Sequence, residues 1–382
     1  MTERDAGRAT TVRGRIVLVD EIVAGAISVV DGTITALESD PHADDGPFIV
    51  PGFVDVHVHG WAGYSAMGGR SGLDGMARAL LRRGVTSFLP TAWTAPIDRL
   101  AEFAETVRAW LPDVPRDGAA PLGFNLEGPF LAVARKGSHD SAHLQSPADV
   151  PAADVERLLD GLRLITIAPE LPGALELIRG VVARGVRVSL GHSAASLTEA
   201  RSGYVAGATS TTHLFNAMTG VHHHQPGLAV AALGDDGVYV ELIADGLHVD
   251  PALLPLISRT KPADRLMLVS DGVSVAGSAP GRARVDGLDV DIELDGRIVR
   301  AGTRTLAGGG APLSIEVQNL VRWGSTLPAA AAAASTNPAA MLGLADRGRI
   351  AAGMRADLVE LDDALQVRRV MRDGEWFEDV SD

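Results

Sequence analysis

The stretch Pro51-Gly52-Phe53-Val54-Asp55-Val56-His57-Val58-His59-Gly60 decides how the rest of this chain is read. It is an apolar run that ends in two histidines spaced two apart. Side chains two apart share one face of a β-strand, so the run predicts a strand that projects His57 and His59 to one side and packs Val56 and Val58 on the other. One strand face can then offer two imidazoles to one ion. Ten of the eleven histidines lie between His57 and His248, and several of them again stand at the ends of apolar runs.

Outward from this strand, apolar runs alternate with amphipathic stretches. Strands are predicted at 54–58, 87–90, 122–126, 164–167, 187–190, 209–212, 238–242 and 266–270, with helical patterns between them such as 75–83, 97–110 and 171–184. Eight β-then-α units predict an α/β fold, a (β/α)8 TIM-type barrel over residues 51–344, with its active site at the C-terminal ends of the strands. Two Asp-Gly turns, Asp286-Gly287 and Asp295-Gly296, predict β-hairpins inserted near 282–299. Short strands are also predicted at 14–19, 25–30 and 33–37, around the turn Asp31-Gly32, and again at 348–350, 356–361 and 366–371. Residues 1–50 and 345–382 are therefore expected to form one small discontinuous β-sandwich domain.

Composition narrows the function. Hydrophobic residues make up 46% and charged residues 21% of 382, with 43 Gly and 21 Pro, which suits many short βα connections. A net charge of −14 and the lack of any basic tract argue against a nucleic-acid partner. The chain has no cysteine, hence no disulfide, thiolate ligand or cysteine nucleophile. Residues 1–10 are charged, with no apolar core of a secretory signal, and the Ala-rich stretch 328–334 is too short to span a bilayer. A cytoplasmic enzyme without a membrane partner is the expectation.

Five predicted strand ends carry polar groups that are costly to bury without a partner: His57 with His59, Glu127, His192, His213 and Asp271. Imidazoles and carboxylates together suit a divalent transition metal, Zn, Fe or Mn, and residue types alone do not choose among these. Asp271, at the last strand, suits a general base that takes a proton from water and later returns it to a leaving group. His42 and His143 read as surface residues, and His222-His223-His224 as a Gly/Pro-flanked loop.

Four further segments carry a specific likeness: Asn125-Leu126-Glu127-Gly128-Pro129-Phe130, Lys136-Gly137-Ser138-His139-Asp140, His213-Leu214-Phe215-Asn216-Ala217-Met218 and Ile243-Ala244-Asp245-Gly246-Leu247-His248. With the His57/His59 pair, the chain resembles the amidohydrolase superfamily and, within it, N-acetylglucosamine-6-phosphate deacetylases. The resemblance implies metal-dependent hydrolysis of the N-acetyl group of an amino sugar, first N-acetylglucosamine 6-phosphate to glucosamine 6-phosphate and acetate. It implies that Glu127, His192 and His213 hold the main ion and that His57 and His59 allow a second, so one or two per subunit. Asp271 would be the base, His139 would polarise the acetamide carbonyl, and Asn216, Ala217 and His248 would contact the sugar phosphate. Leu306 would also contact the substrate, but the family's Leu-Ala-Gly-Ser loop reads Leu306-Ala307-Gly308-Gly309 here, a departure expected to reshape the acyl pocket. A homodimer is expected in which the partner supplies a loop to the site.

Lysine scarcity separates relatives. Only Lys136 and Lys261 occur, and neither falls at a predicted strand end, so the carboxylated lysine that bridges metals in other amidohydrolases is excluded here. A second departure bears on substrate: His224 stands where the family usually has an arginine that reaches the phosphate, and an imidazole cannot reproduce the guanidinium fork. An unphosphorylated or differently substituted N-acyl amino sugar is therefore the rival substrate. A non-catalytic sugar-binding protein on the same fold is the rival class.

Overall fold

A computed structural model describes residues 9–378. The polar amino-terminal stretch read against a signal lies, up to residue 8, outside the described residues. Eight parallel strands form the centre: β1 (Phe53–Val58), β2 (Val85–Ala92), β3 (Phe124–Glu127), β4 (Leu162–Ile167), β5 (Arg187–Leu190), β6 (Ser210–Thr211), β7 (Tyr239–Leu242) and β8 (Leu266–Leu268). They pair in sequence order. The ring closes at its C-terminal rim, where Val58 bridges Gly272 in parallel and the His59 N–H donates to the Gly272 carbonyl at 2.8 Å. Helices follow the strands and pack outside, from Gly69–Leu81 and Ile97–Trp110 to Leu313–Arg322.

The barrel encloses Val54, Val56, Leu89, Leu164, Met267 and Val269, with Met341 and Leu342 in the same cluster. A larger core lies between strands and helices, with Val58 and Leu126 meeting Leu73, Met76 and Leu100. Val56 and Val58 therefore belong to different cores, which corrects the simple alternation expected of this strand. The cause is a bulge: three residue steps from Asp55 to Val58 on β1 face two from Phe88 to Pro90 on β2. An extra residue bends a strand and re-aims the side chains beyond it.

Strand 122–126 is also interrupted. Ala120–Pro121 and β3 are separated at Gly123, whose φ of +114° and whose Cβ position, 2.5 Å from the Gly161 carbonyl oxygen, leave no room for a side chain. After β8 come three further strands, Gly281–Val285, Leu288–Ile292 and Ile298–Arg300, in a three-stranded antiparallel sheet. Asp286 and Gly287 both take positive φ at its first turn. It buries its own small core of Val285, Val290, Ile292 and Ile298 with Val273 and Ala307.

The chain ends build one seven-stranded sheet, in the order Glu375–Phe377, Val367–Arg372, Leu358–Leu361, Phe48–Pro51, Ala9–Val17, Ile22–Val30 and Thr33–Ser39. The two faces expected of a sandwich come from this single sheet curling until Thr33 bridges Arg355 over a core of Ile16, Ile27, Ile34, Ile49 and Leu358. Residues 348–350 form no strand: Gly348 takes φ of +87° against the Ser335 carbonyl, and its own carbonyl accepts from the Thr336 hydroxyl. The Ala-rich stretch lies in the short helix Leu327–Ala334, and among the described residues no helix is long and apolar enough to cross a membrane.

Candidate metal centre and active site

Glu127 ends β3 at the barrel rim, and five other rim side chains converge on its buried carboxylate. His192 Nε2 lies 3.0 Å and His213 Nε2 2.9 Å from Glu127 Oε1, and these two nitrogens are 3.1 Å apart. On the other side, His59 Nε2 stands 3.2 Å from Glu127 Oε2 and 3.3 Å from Asp271 Oδ1, and His57 Nε2 stands 3.5 Å from both Glu127 Oε1 and Asp271 Oδ1. His139 Nε2 comes within 3.0 Å of Glu127 Oε2 from the loop after β3. Separations of about 3–3.5 Å are those of ligand atoms that share an ion at roughly 2.0–2.2 Å.

The outer nitrogens fix the tautomers. His57 Nδ1–H donates to Glu241 Oε2 (3.1 Å), His59 Nδ1–H to the Thr91 carbonyl (3.2 Å) and His192 Nδ1–H to the Arg135 carbonyl (2.8 Å). Each Nε2 lone pair then faces the centre, the arrangement of a ligand oriented by its outer hydrogen bond. His57 Nε2 and His59 Nε2 are buried with no hydrogen-bond partner of their own. Such orphaned acceptors beside two carboxylates fit a divalent cation. His57, His59, Glu127 and Asp271 form one candidate group, and Glu127, His139 and His192 another, so Glu127 belongs to both.

Backbone geometry aims these residues. His192, His213 and Asp271 adopt φ of +45°, +28° and +46°, a region that non-glycine residues occupy at a cost of order 1–3 kcal/mol when structure around them imposes it. Burial raises the Asp271 carboxyl's proton affinity, yet His59 and His57 outweigh burial and hold it below the ordinary carboxylate value. Glu127 is likewise held well below its ordinary value, the imidazoles of His139, His57 and His192 overcoming burial. Burial pushes His139 down to about 4, so this ring is neutral at pH 7. The Thr94 N–H donates to His139 Nδ1 at 3.4 Å, which leaves the ring proton on Nε2, facing the centre.

Known proteins share the fold that carries this centre. A model of the Amidohydrolase family matches residues 48–377. The chain belongs to the amidohydrolase family. It is similar to the N-acetylglucosamine-6-phosphate deacetylase of Bos taurus, at 39% identity over 86% of this chain and 83% of that one. Similarity to the N-acetylgalactosamine-6-phosphate deacetylase of Escherichia coli O157:H7 is 36% over 91% and 93%. The crystal structure of N-acetylglucosamine-6-phosphate deacetylase from Thermotoga maritima superposes with a TM-score of 0.90 at 32% identity, over 97% of this chain and 100% of that one.

In this amidohydrolase a cavity of about 370 Å3 opens above the centre. Asn216, Ala217, His248 and Leu306 line it with Glu127, His139, His192, His213 and Asp271. His248 is held by its Nδ1–H bond to Asp245 Oδ2 (2.7 Å). His224 is not brought to this cavity within one chain; it stays exposed, with its ring 3.9 Å from that of His223. The loop around it, residues 220–225, is exposed on the surface.

Four residues escaped the sequence reading. Glu241 was legible in principle as a lone carboxylate in the apolar run Val240-Glu241-Leu242, since a fully buried carboxylate needs a partner. Trp93, stacked on His59 at 4.2 Å between ring centroids, follows β2 with no local signal beyond its size. Arg135 and Arg304 line the cavity from two loops far apart in sequence, and no periodicity marks them.

Proposed function

We propose that this protein hydrolyses the acetamide of an N-acetyl amino sugar 6-phosphate, N-acetylglucosamine 6-phosphate first, to acetate and the free amino sugar phosphate. The observation that carries this reading is the convergence of His57, His59, His192 and His213 on one buried carboxylate, Glu127, with Asp271 beside His57 and His59 and three imidazoles tied by Nδ1 and open at Nε2. Zn, Fe or Mn would be held there, one ion by Glu127, His192 and His213 and a second by His57 and His59, with Glu127 between them. When bound, such an ion would act as a Lewis acid and bring the pKa of a water down toward about 7.

The chain's own groups supply the rest. Ionised Asp271 takes the proton of the attacking water and returns it to the nitrogen as the C–N bond breaks. Neutral His139 donates its Nε2–H to the carbonyl oxygen as negative charge grows there. Asn216, Ala217 and His248 hold the sugar. Arg135 and Arg304 supply the cations for the phosphate from within one chain, where His224 does not reach.

A homodimer accounts for the exposed His222–His224 loop as a part offered to a neighbour's site. Residues 1–50 and 345–382 act as one discontinuous unit beside the catalytic barrel of 51–344, and a charged sugar substrate that does not cross lipid freely suits a cytoplasmic enzyme.

The test is kcat/KM of the metal-replete protein on N-acetylglucosamine 6-phosphate and on N-acetylglucosamine, side by side, before and after chelation. A preference of about a hundredfold or more for the phosphate, on the order of 2.7 kcal/mol, that disappears with the metal supports this reading. Equal rates on both sugars would move the assignment to an unphosphorylated or otherwise substituted N-acyl amino sugar. No turnover of either in metal-replete protein would sink it.

A further inference from the structure

Trp93 stands between two cavities. The one above the centre, about 370 Å3, and a neighbour of about 590 Å3 share Trp93, Ser138 and His139 as lining residues. The neighbour is bounded beyond them by Ala95 and Pro96, just past β2, and by Val285 and Leu288 of the inserted sheet. The Trp93 ring is fixed from three sides: it stacks on His59 at 4.2 Å, lies 5.2 Å from the His139 ring and packs on the core of the inserted sheet. Its buried Nε1 has no hydrogen-bond partner, so no polar contact of the indole nitrogen explains why an indole is placed here.

Barrel geometry decides which part of a substrate meets this ring. Asn216 and Ala217 follow β6 and His248 follows β7, whereas Trp93 follows β2, four strands from β6 and so across an eight-stranded ring. A carbonyl carbon poised beside Asp271 and His139, with its sugar toward β6 and β7, must turn its acyl tail toward β1 and β2. That tail meets Trp93, and behind Trp93 lies space that a longer chain could fill.

We propose that Trp93 is a specificity-determining residue that confines the acyl group to acetyl by closing the catalytic cavity off from the neighbouring one. Without the indole, the two cavities merge into an annex for longer acyl chains. This rests on the deacetylase reading above.

The experiment compares kcat/KM on N-acetyl-, N-butyryl- and N-hexanoyl-glucosamine 6-phosphate for the metal-replete protein and for Trp93→Ala. One methylene in an apolar pocket is worth about 10–200-fold, so the native protein should disfavour hexanoyl by about a hundredfold or more. Trp93→Ala should raise the hexanoyl-to-acetyl ratio at least about tenfold, and adding Ala95→Leu, which refills the neighbouring cavity, should reverse that gain. The ratio cancels any loss common to all substrates through disturbance of His59. Should Trp93→Ala not fold, Trp93→Leu with the butyryl substrate carries the same comparison. A native protein that takes hexanoyl as readily as acetyl, or a variant that keeps acetyl hydrolysis with an unchanged ratio, overturns the proposal. If the native protein turns over none of the three, the deacetylase reading has failed and this inference fails with it.

Discussion

Asp271 touches His57 twice: its backbone N–H donates to the His57 carbonyl at 2.9 Å, and its Oδ1 lies 3.5 Å from His57 Nε2. The first contact belongs to the seam that closes the barrel between β8 and β1, and the second places an ionised carboxylate beside the candidate metal ligands. Closure and chemistry therefore meet at one residue. Asp271→Asn keeps the backbone bond and the side-chain shape and loses only the charge. It should fold and bind metal while kcat drops roughly 10²–10⁴-fold, the usual worth of a general base. Turnover near the native rate, measured on metal-verified protein, would remove Asp271 from the proton transfer.

Glu241 orients His57 through Nδ1 and accepts the His213 backbone N–H at 3.2 Å, so one carboxylate steadies candidate ligands of both proposed ions. Partners of this kind are worth about 10–100-fold in metal affinity or activity. Glu241→Gln should weaken metal retention in a chelator competition by that order, with excess metal restoring part of the activity. Unchanged retention would reduce Glu241 to a packing residue.

Arg135 and Arg304 offer their charge at the cavity, and Arg304→Ala should raise KM for the phosphorylated sugar about tenfold, the low end for a bond to a charged group at an exposed site. Hydrolysis of the unphosphorylated sugar should not change. If His224→Arg rather than the loss of Arg304 moves the phosphate preference, the phosphate is read by the His222–His224 loop instead.

Glu316, fully buried on the helix Leu313–Arg322, has its proton affinity raised well above the ordinary value near 4.5, first by burial and then by Asp245. Folded protein holds this proton where the unfolded chain has lost it, so the stability it contributes is complete below 4.5 and is lost as pH rises through the folded value. Glu316→Gln stays neutral throughout. Its urea midpoint relative to native should be higher at pH 8 than at pH 5; a constant difference across that range would show that Glu316 does not titrate with folding.

Much of this was legible in the chain alone, and the misses have definite causes. The helix at 97–110 begins and ends where its apolar spacing predicts, because that spacing is a local property of 3.6 residues per turn. The β1 bulge was not legible: Val54, Val56 and Val58 read as an unbroken alternation, and the extra residue is defined only by its neighbour β2. Strand 348–350 failed because Gly348 takes φ of +87°, a conformation outside the strand region, where a side chain would meet the Ser335 carbonyl.

The sequence by itself determined which candidate ligand types follow which apolar runs, His57, His59, Glu127, His192, His213 and Asp271, since two- and 3.6-residue periods are written into neighbouring residues. It also determined that no lysine or cysteine could share the centre. Only the tertiary structure decided that Glu241 steadies His57 from 184 residues away, that His224 stays outside its own cavity and that Trp93 parts two cavities. Those relations depend on the curvature and closure of the barrel, which sum small twists over eight strands, and no local pattern of residues encodes where such a ring meets itself.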